Sequence, residues 1–98
     1  NVYLTEEQRA DAPILYRALM EGAESVRRGE KKSENLKKLV SDIVINESKG
    51  DLDYVGVVDS ETFTQLDSVL ESGKQIRILI ACNFGAARLI DNIGVVIP

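Results

Sequence analysis

In the first half of the chain, apolar and polar positions alternate with the period of an amphipathic helix. The first apolar stripe consists of Ile14, Leu15, Ala18, Leu19 and Val26. Thr5 and Gln8 form a capping-box pattern that predicts where this helical region begins, and Gly29 predicts where it ends. Because Pro13 has no backbone N–H, we expect it to open a second helical segment rather than to continue the first.

A second helix is predicted from Ser33, a good N-cap residue, with the acidic Glu34 in its first turn. Its apolar positions follow the spacing i, i+3, i+4, i+7, i+8 and are Leu36, Leu39, Val40, Ile43 and Val44. This spacing is typical of a half-buried helix. Gly50 and Asp51 then break the pattern.

The second half of the chain contains shorter apolar runs, which predict β-strands. Leu52–Val58 is rich in β-branched residues, as strands are. Gln75–Phe84 has apolar residues on both of its faces, and Arg88–Ile97 is predicted to return beside it after a turn at Gly85. Three strands are therefore expected.

The segment between the first two predicted strands contains turn and helix signals. Asp59 begins a turn, since Asp and Ser side chains bond nearby backbone groups. The spacing of Leu66, Val69 and Leu70 predicts a further short helix, ended by Gly73. The resulting fold class is α+β, with helices packed on one side of a small, about three-stranded antiparallel sheet.

Composition and charge narrow the classes of function. The chain has 98 residues, which favours a single domain over 1–98, and a net charge of −4. The excess of acidic residues argues against nucleic acid as a partner, and no apolar run approaches the length of a membrane helix. Cys82 is the one cysteine, which fits a reducing, cytoplasmic location.

Few residues have the character of catalytic or metal-binding groups. The sequence has no histidine, the side chain most often used for acid–base work and for binding zinc. We predict no metal site and no catalytic residue in this chain. Asp51, Asp53 and Asp59 flank a predicted strand, and we interpret them as turn-forming residues rather than as paired catalytic acids.

Arg88, Asp91 and Asn92 are candidates for contact with another domain. On a strand, Arg88 and Asp91 point to opposite faces, so we do not expect them to pair with each other. Asp91 shares its face with apolar residues and must find a hydrogen-bonding partner. One interpretation is structural, with Asp91 and Asn92 accepting bonds from nearby backbone donors. The alternative is a role facing a further domain.

Four blocks of sequence resemble one known family. They are Asn1-Val-Tyr-Leu-Thr-Glu-Glu-Gln-Arg9, Ala12-Pro-Ile-Leu-Tyr-Arg-Ala-Leu19, Asp53-Tyr-Val-Gly-Val-Val-Asp59 with Glu61-Thr62, and Gly85-Ala-Ala-Arg-Leu-Ile-Asp-Asn-Ile93. In order and spacing they resemble the C-terminal domain of the pantothenate synthetase (pantoate–β-alanine ligase) family. The Arg-Leu-Ile-Asp-Asn block is the most specific part of the resemblance.

The resemblance implies a lid domain of a larger ligase. Enzymes of the family join pantoate to β-alanine with ATP and Mg²⁺, through pantoyl adenylate, and they do so mainly with an N-terminal Rossmann-like domain. Asn1 corresponds to the residue that follows the family's ATP-contacting Ser-Ser-Arg loop, so it is the candidate cofactor-binding residue. The chain would then begin just after a catalytic motif, as a cut domain would. We expect it to be inactive and cofactor-free by itself.

Two readings outside catalysis stay open. A non-enzymatic interaction or oligomerisation module would use the second apolar face of the Gln75–Phe84 strand, with Leu79 and Ala81, to associate with itself. A small-molecule sensor domain is a third class, but the sequence shows no pocket signature for it. The sequence that precedes Asn1 in the gene would distinguish the lid from the module.

Overall fold

Two helices and three strands make up the part of the chain described by the computed structural model, which is residues 6–98 apart from the side chains of residues 7 and 8. In chain order the elements are α1 (Glu6–Arg27), α2 (Ser33–Glu47), β1 (Asp51–Asp59), β2 (Gln75–Phe84) and β3 (Ala87–Val96). The strands form one antiparallel sheet in the order β1-β2-β3, and both helices pack on it. The predicted α+β class is confirmed.

The register of the sheet defines two faces. Directly opposed residues in neighbouring strands point to the same side of a sheet. We call inner the face whose β2 residues are Ile76, Ile78, Ile80, Cys82 and Phe84, all of them buried. We call outer the face whose β2 residues are Arg77, Leu79, Ala81 and Asn83. The helices cover the inner face, because the buried side chains of both helices pack against its residues.

The core lies between the helices and the inner face. At one end of the sheet, Leu15, Leu19 and Val44 pack with Ile80. At the other end, the buried residues are Ala23, Val26, Leu36, Val57, Leu70, Ile76, Val95 and Ile97. On α2, the buried apolar positions are Leu36, Val40 and Val44, whereas Leu39 and Ile43 lie at the boundary and are half-buried.

Pro13 lies inside α1, so the predicted break at this residue is wrong. A proline in a helix removes the hydrogen bond to the carbonyl four residues earlier, here that of Arg9. Arg9 and Pro13 are both exposed, so water can reach that carbonyl. The helix continues because Leu15, Ala18 and Leu19 are buried beyond the proline. Thr5, predicted to cap this helix, lies outside the described residues.

The end of α1 at Gly29 follows the prediction. Gly29 has φ = 110°, a left-handed conformation that glycine adopts without steric cost. The N–H of Gly29 donates to the carbonyl of Val26 at 2.9 Å, and the N–H of Glu30 donates to the carbonyl of Ser25 at 3.0 Å. These two bonds form a Schellman motif.

α2 begins at the predicted residue, but Ser33 is not its cap. Lys32 occupies the N-cap position without a side-chain capping bond, and Ser33 is the first helical residue, almost fully buried. The carboxylate of Glu30 instead accepts hydrogen bonds from the backbone N–H groups of Lys31 and Lys32, both at 3.1 Å. These bonds lower the pKa of Glu30, the one from Lys32 most strongly.

The short helix predicted around Leu66, Val69 and Leu70 is wrong. The segment 60–74 is irregular, and at Leu66 and Leu70 its backbone bonds to other parts of the chain instead of forming a helix. The N–H of Leu66 donates to Val57 at 2.8 Å, and that of Leu70 donates to Lys31 at 2.7 Å. Leu70 is buried, whereas Val69 is 63% exposed.

Candidate functional site

The three residues predicted to face another domain lie on two different faces of β3. Arg88 and Asn92 stand opposite Asn83 and Leu79, on the outer face, whereas Asp91 stands opposite Ile80, on the inner face. The Oδ1 atom of Asp91 accepts a hydrogen bond from the backbone N–H of Asn92 at 2.8 Å. This bond supports the structural interpretation of Asp91, and the outer face becomes the candidate site.

One end of the outer face carries an ion pair that spans the central strand. Nη1 of Arg88, on β3, lies 2.6 Å from Oδ2 of Asp53, on β1. The same nitrogen lies 3.4 Å from Oδ1 of Asn83, on the strand between them. Asp53 sits where the β1–β2 register shifts between Leu52 and Tyr54, and a bulge of this kind re-aims the side chain of a strand residue.

A second polar pair lies further along the same face. Nη1 of Arg77 donates to Oδ1 of Asn92 at 2.6 Å. The guanidinium lies over Gly94, where an added Cβ would stand 3.1 Å from Nη2 of Arg77. This bond gives the Arg77 guanidinium and the Asn92 amide oxygen a hydrogen-bonding partner on the face itself.

Between these polar pairs the outer face is apolar. Tyr54 and Ile90 flank Ala81 in the register; Ala81 is fully buried beneath its neighbours, while Tyr54 is 43% and Ile90 64% exposed. Leu79 is half-buried. A shallow groove of about 370 Å³ runs along this region, with Tyr54, Val55, Gly56, Val58, Phe63, Gln65 and Leu79 around it.

Phe63 stands at the rim of this groove in an unusual conformation. Its φ is 58°, and its side chain is 63% exposed. Left-handed backbone is rare and unfavourable for a bulky residue. The turn before it is fixed by Asp59, whose Oδ1 accepts from the N–H groups of Glu61 at 2.8 Å and Thr62 at 3.1 Å. The N–H of Phe63 itself donates to the carbonyl of Asp59 at 2.9 Å.

The three aspartates predicted to form turns differ in their roles. For Asp59 the prediction is confirmed, and the bonds from Thr62 and Glu61 lower its pKa. Asp51 and Asp53 instead lie within β1, and Asp53 pairs with Arg88, so for these two the prediction is wrong.

The remaining candidate chemistry is limited to one thiol. Cys82 is buried, and burial raises its pKa, with a smaller effect from the carboxylates of Asp51 and Asp11. Within residues 6–98, no group of three or more His, Cys, Asp or Glu side chains could hold a metal ion, so we assign Mg²⁺ to none of them. Asn1, the candidate nucleotide-contacting residue, lies outside the described residues.

No described helix is long and apolar enough to cross a membrane.

Sequence reasoning identified Leu79 and Ala81 on this face but missed the apolar residues around them. Tyr54 and Ile90 were within predicted strands, and their alternation with inward-facing residues was a usable signal. Arg77 belongs to the same alternation on β2. Phe63 gave no such signal, because a left-handed phenylalanine has no sequence signature.

Comparison with known proteins gives one consistent family. The sequence profile of the family described as Pantoate-beta-alanine ligase matches residues 1–94. Pantothenate synthetase from Bacillus velezensis is 44% identical over 95 residues, which are 95% of this chain and 31% of that protein. Pantothenate synthetase from Caldicellulosiruptor bescii is 39% identical over 97% of this chain and 33% of its own length.

A solved structure agrees with the sequence matches. The crystal structure of pantothenate synthetase from Thermus thermophilus superimposes with a TM-score of 0.79 and 34% sequence identity. The match covers 95% of this chain and 32% of that one. The chain therefore spans about a third of the length of the relatives it matches, and it corresponds to their C-terminal part.

Proposed function

The chain belongs to the pantoate–β-alanine ligase family, and from that premise we propose that residues 1–98 form the C-terminal lid domain of such a ligase. The observation that carries the proposal is the family match over 1–94, combined with a coverage of only about a third of each relative. The catalytic site is then built mainly by the N-terminal, Rossmann-like part of the polypeptide.

The proposed reaction has two steps. A carboxylate oxygen of pantoate attacks the α-phosphorus of ATP, and pyrophosphate leaves. The amine of β-alanine then attacks the acyl carbon of the pantoyl adenylate, loses a proton, and displaces AMP to form the amide. Mg²⁺ neutralises phosphate charge in such reactions. Asn1, which by the family resemblance follows the ATP-contacting loop, is the nucleotide-contacting residue we propose for this chain.

The role we propose for this chain is to exclude water. An acyl adenylate can be hydrolysed before the amine attacks, and a closed domain protects it. Residues 6–98 form a packed α+β domain in which Arg88 pairs with Asp53 and Arg77 bonds to Asn92. Such a domain is suited to act as a rigid cover. A cytoplasmic location is part of the same proposal, supported by the single buried thiol of Cys82.

A chimeric enzyme tests the proposal. This chain replaces the matching third of the Bacillus velezensis relative, and pyrophosphate release is measured with ATP, Mg²⁺, pantoate and β-alanine. We expect activity from the chimera and none from the 98-residue chain alone. The relative without that third is the control, and it should release more AMP per pantothenate formed. A folded but inactive chimera, or an equal AMP-to-pantothenate ratio in both proteins, would contradict the lid role.

A further inference from the structure

The outer sheet face has the properties of an interface, and we propose that it packs against the catalytic part of the same polypeptide. The inference rests on the lid function proposed above and adds the surface through which the lid acts. Its central residues are Tyr54, Phe63, Leu79 and Ile90, with the Arg88–Asp53 pair at one end. The inner face is excluded, because both helices already cover it.

Phe63 is the strongest argument for a partner. A left-handed backbone and a large exposed aromatic ring are each unfavourable in the isolated domain. Yet the turn is held in place by the bonds that Asp59 accepts and by the N–H of Phe63 itself. A rigid loop that displays an aromatic ring beside an apolar groove is the usual form of an interface anchor.

The polar groups of this face are prepared for burial. Unpaired charges make an interface costly, because they lose their water without gaining a partner. Here Arg88 is paired with Asp53, and Arg77 donates to Asn92. A partner could therefore cover the apolar centre beside Arg88 without having to neutralise that side chain. The bond to Asn92 orients Arg77 but leaves its positive charge, because Asn92 is neutral.

The length and entry point of the polypeptide favour the catalytic part as the occupant. Two thirds of each relative lie outside the matched region and precede it. α1 begins at the end of the sheet where β1 starts, because Oδ2 of Asp11 accepts a hydrogen bond from the N–H of Lys49 at 2.7 Å. The Arg88–Asp53 pair lies at that same end of the sheet, so the chain enters the lid at the end that carries this pair, with α1 itself packed on the inner face.

A second exposed apolar strip lies on α1. Tyr16 and Met20 are one turn apart on α1 and are 51% and 44% exposed. The charged pair of Arg17 and Glu47 lies beside them. Neither residue has the left-handed backbone of Phe63, and the strip serves as an internal control.

Hydroxyl-radical footprinting of side chains tests the assignment. Oxidation of Tyr54 and Phe63 is compared between the isolated chain and the chimera, at concentrations where sedimentation shows both to be monomeric. We expect several-fold slower oxidation of Tyr54 and Phe63 in the chimera, with Tyr16 and Met20 unchanged. Equal rates at Tyr54 and Phe63 in both proteins would overturn the proposal, as would protection confined to Tyr16 and Met20.

A matched pair of variants adds a functional readout. Ile90→Lys places a charge on the outer face, and Ile45→Lys places one on α2. The two wild-type side chains are almost equally exposed, Ile90 by 64% and Ile45 by 62%. In the chimera, Ile90→Lys should lower kcat/KM by about tenfold, equivalent to ~1.4 kcal/mol, and Ile45→Lys should not. Urea unfolding of the isolated variants confirms that both fold. Equal losses in both variants would contradict the proposal.

Two further outcomes separate this inference from the lid function. Protection of Tyr54 in the isolated chain that grows with concentration would identify a second copy as the occupant and overturn the inference. An inactive chimera with a protected outer face would contradict the lid function and keep the docking surface. An active chimera with an unprotected outer face would support the lid function and contradict the docking surface.

Discussion

Gly50, just before β1, lies directly against the buried side chain of Cys82. A methyl group added at Gly50 would contact the sulfur and would also stand 2.7 Å from Cζ of Phe84. Both neighbours are buried, so neither can move away into solvent. A side chain at residue 50 would therefore force one of these two neighbours to shift within the core.

Gly50→Ala should therefore destabilise the domain by about 1–3 kcal/mol, because it overpacks a closed core. Gly56→Ala is the control, since its nearest neighbour would be Tyr54 at 3.9 Å. We expect that change to stay within about 0.5 kcal/mol. Urea unfolding measures both, and equal midpoints would contradict the packing around Gly50.

The buried stripe of α2 makes a second prediction. Leu36 is fully buried in the cluster with Val57 and Ile76, so Leu36→Ala should cost about 2–5 kcal/mol by leaving a cavity. Lys38 is exposed and pairs with Asp42 at 3.0 Å, so Lys38→Ala should cost no more than about 0.5 kcal/mol. If thermal unfolding shows similar losses for both, the orientation of α2 is wrong.

Phe63→Gly should separate stability from function. Glycine adopts φ = 58° without the steric cost of about 1 kcal/mol that a side chain adds, and little of the exposed ring is lost from the core. The isolated chain should be as stable as before, or slightly more stable. The chimera should lose activity, because the anchor is gone. A loss of more than about 1 kcal/mol in the isolated chain would show that Phe63 is a core residue.

The pKa of Asp59 predicts part of the acid sensitivity. Its pKa lies below the ordinary 3.8, mainly because the N–H groups of Thr62 and Glu61 donate to the carboxylate. A carboxyl with a lowered folded-state pKa stabilises the fold above its unfolded-state pKa, and this contribution is lost as the pH falls through the folded-state value. Asp59→Asn keeps an acceptor oxygen but cannot titrate.

We therefore expect the stability of Asp59→Asn to fall less than that of the parent chain between about pH 5 and pH 2. Urea midpoints across this range measure the difference. Glu61→Gln, which removes a neighbouring carboxyl but leaves the bonds to Asp59, is the control and should follow the parent more closely. Parallel pH profiles for the parent and Asp59→Asn would refute the assignment.

Regular apolar periodicity was sufficient to predict most of the fold. Gln75–Phe84 was predicted with both of its ends, because its inner-face residues are continuously apolar and turn signals bound it. The prediction of a helix around Leu66 and Leu70 was wrong, because a spacing of only three apolar residues is compatible with several local conformations. There the backbone partners, Val57 and Lys31, are distant in sequence, and no local pattern contains them.

The candidate site was less predictable for the same reason. Placing Arg88 and Asp91 on opposite faces required only the alternation of a strand, and that prediction is confirmed. The partner of Arg88 depends on two strand registers and on the shift at Asp53. The apolar centre needs the same registers to bring Tyr54 and Ile90 to the two sides of Ala81. Such relationships exist only after the sheet has formed.

The Arg88–Asp53 pair also reports on the order in which the sheet assembles. β2 and β3 are joined by the short turn Gly85–Ala86, so their pairing is local and closes early. β1 is separated from β2 by residues 60–74, and its docking must close a longer loop. Arg88 lies on β3 and Asp53 on β1, and these two strands are not neighbours in the sheet. Their ion pair can therefore form only after β1 has docked on the β2–β3 hairpin. It is a contact of the finished sheet, and its loss should speed unfolding while leaving the folding rate unchanged.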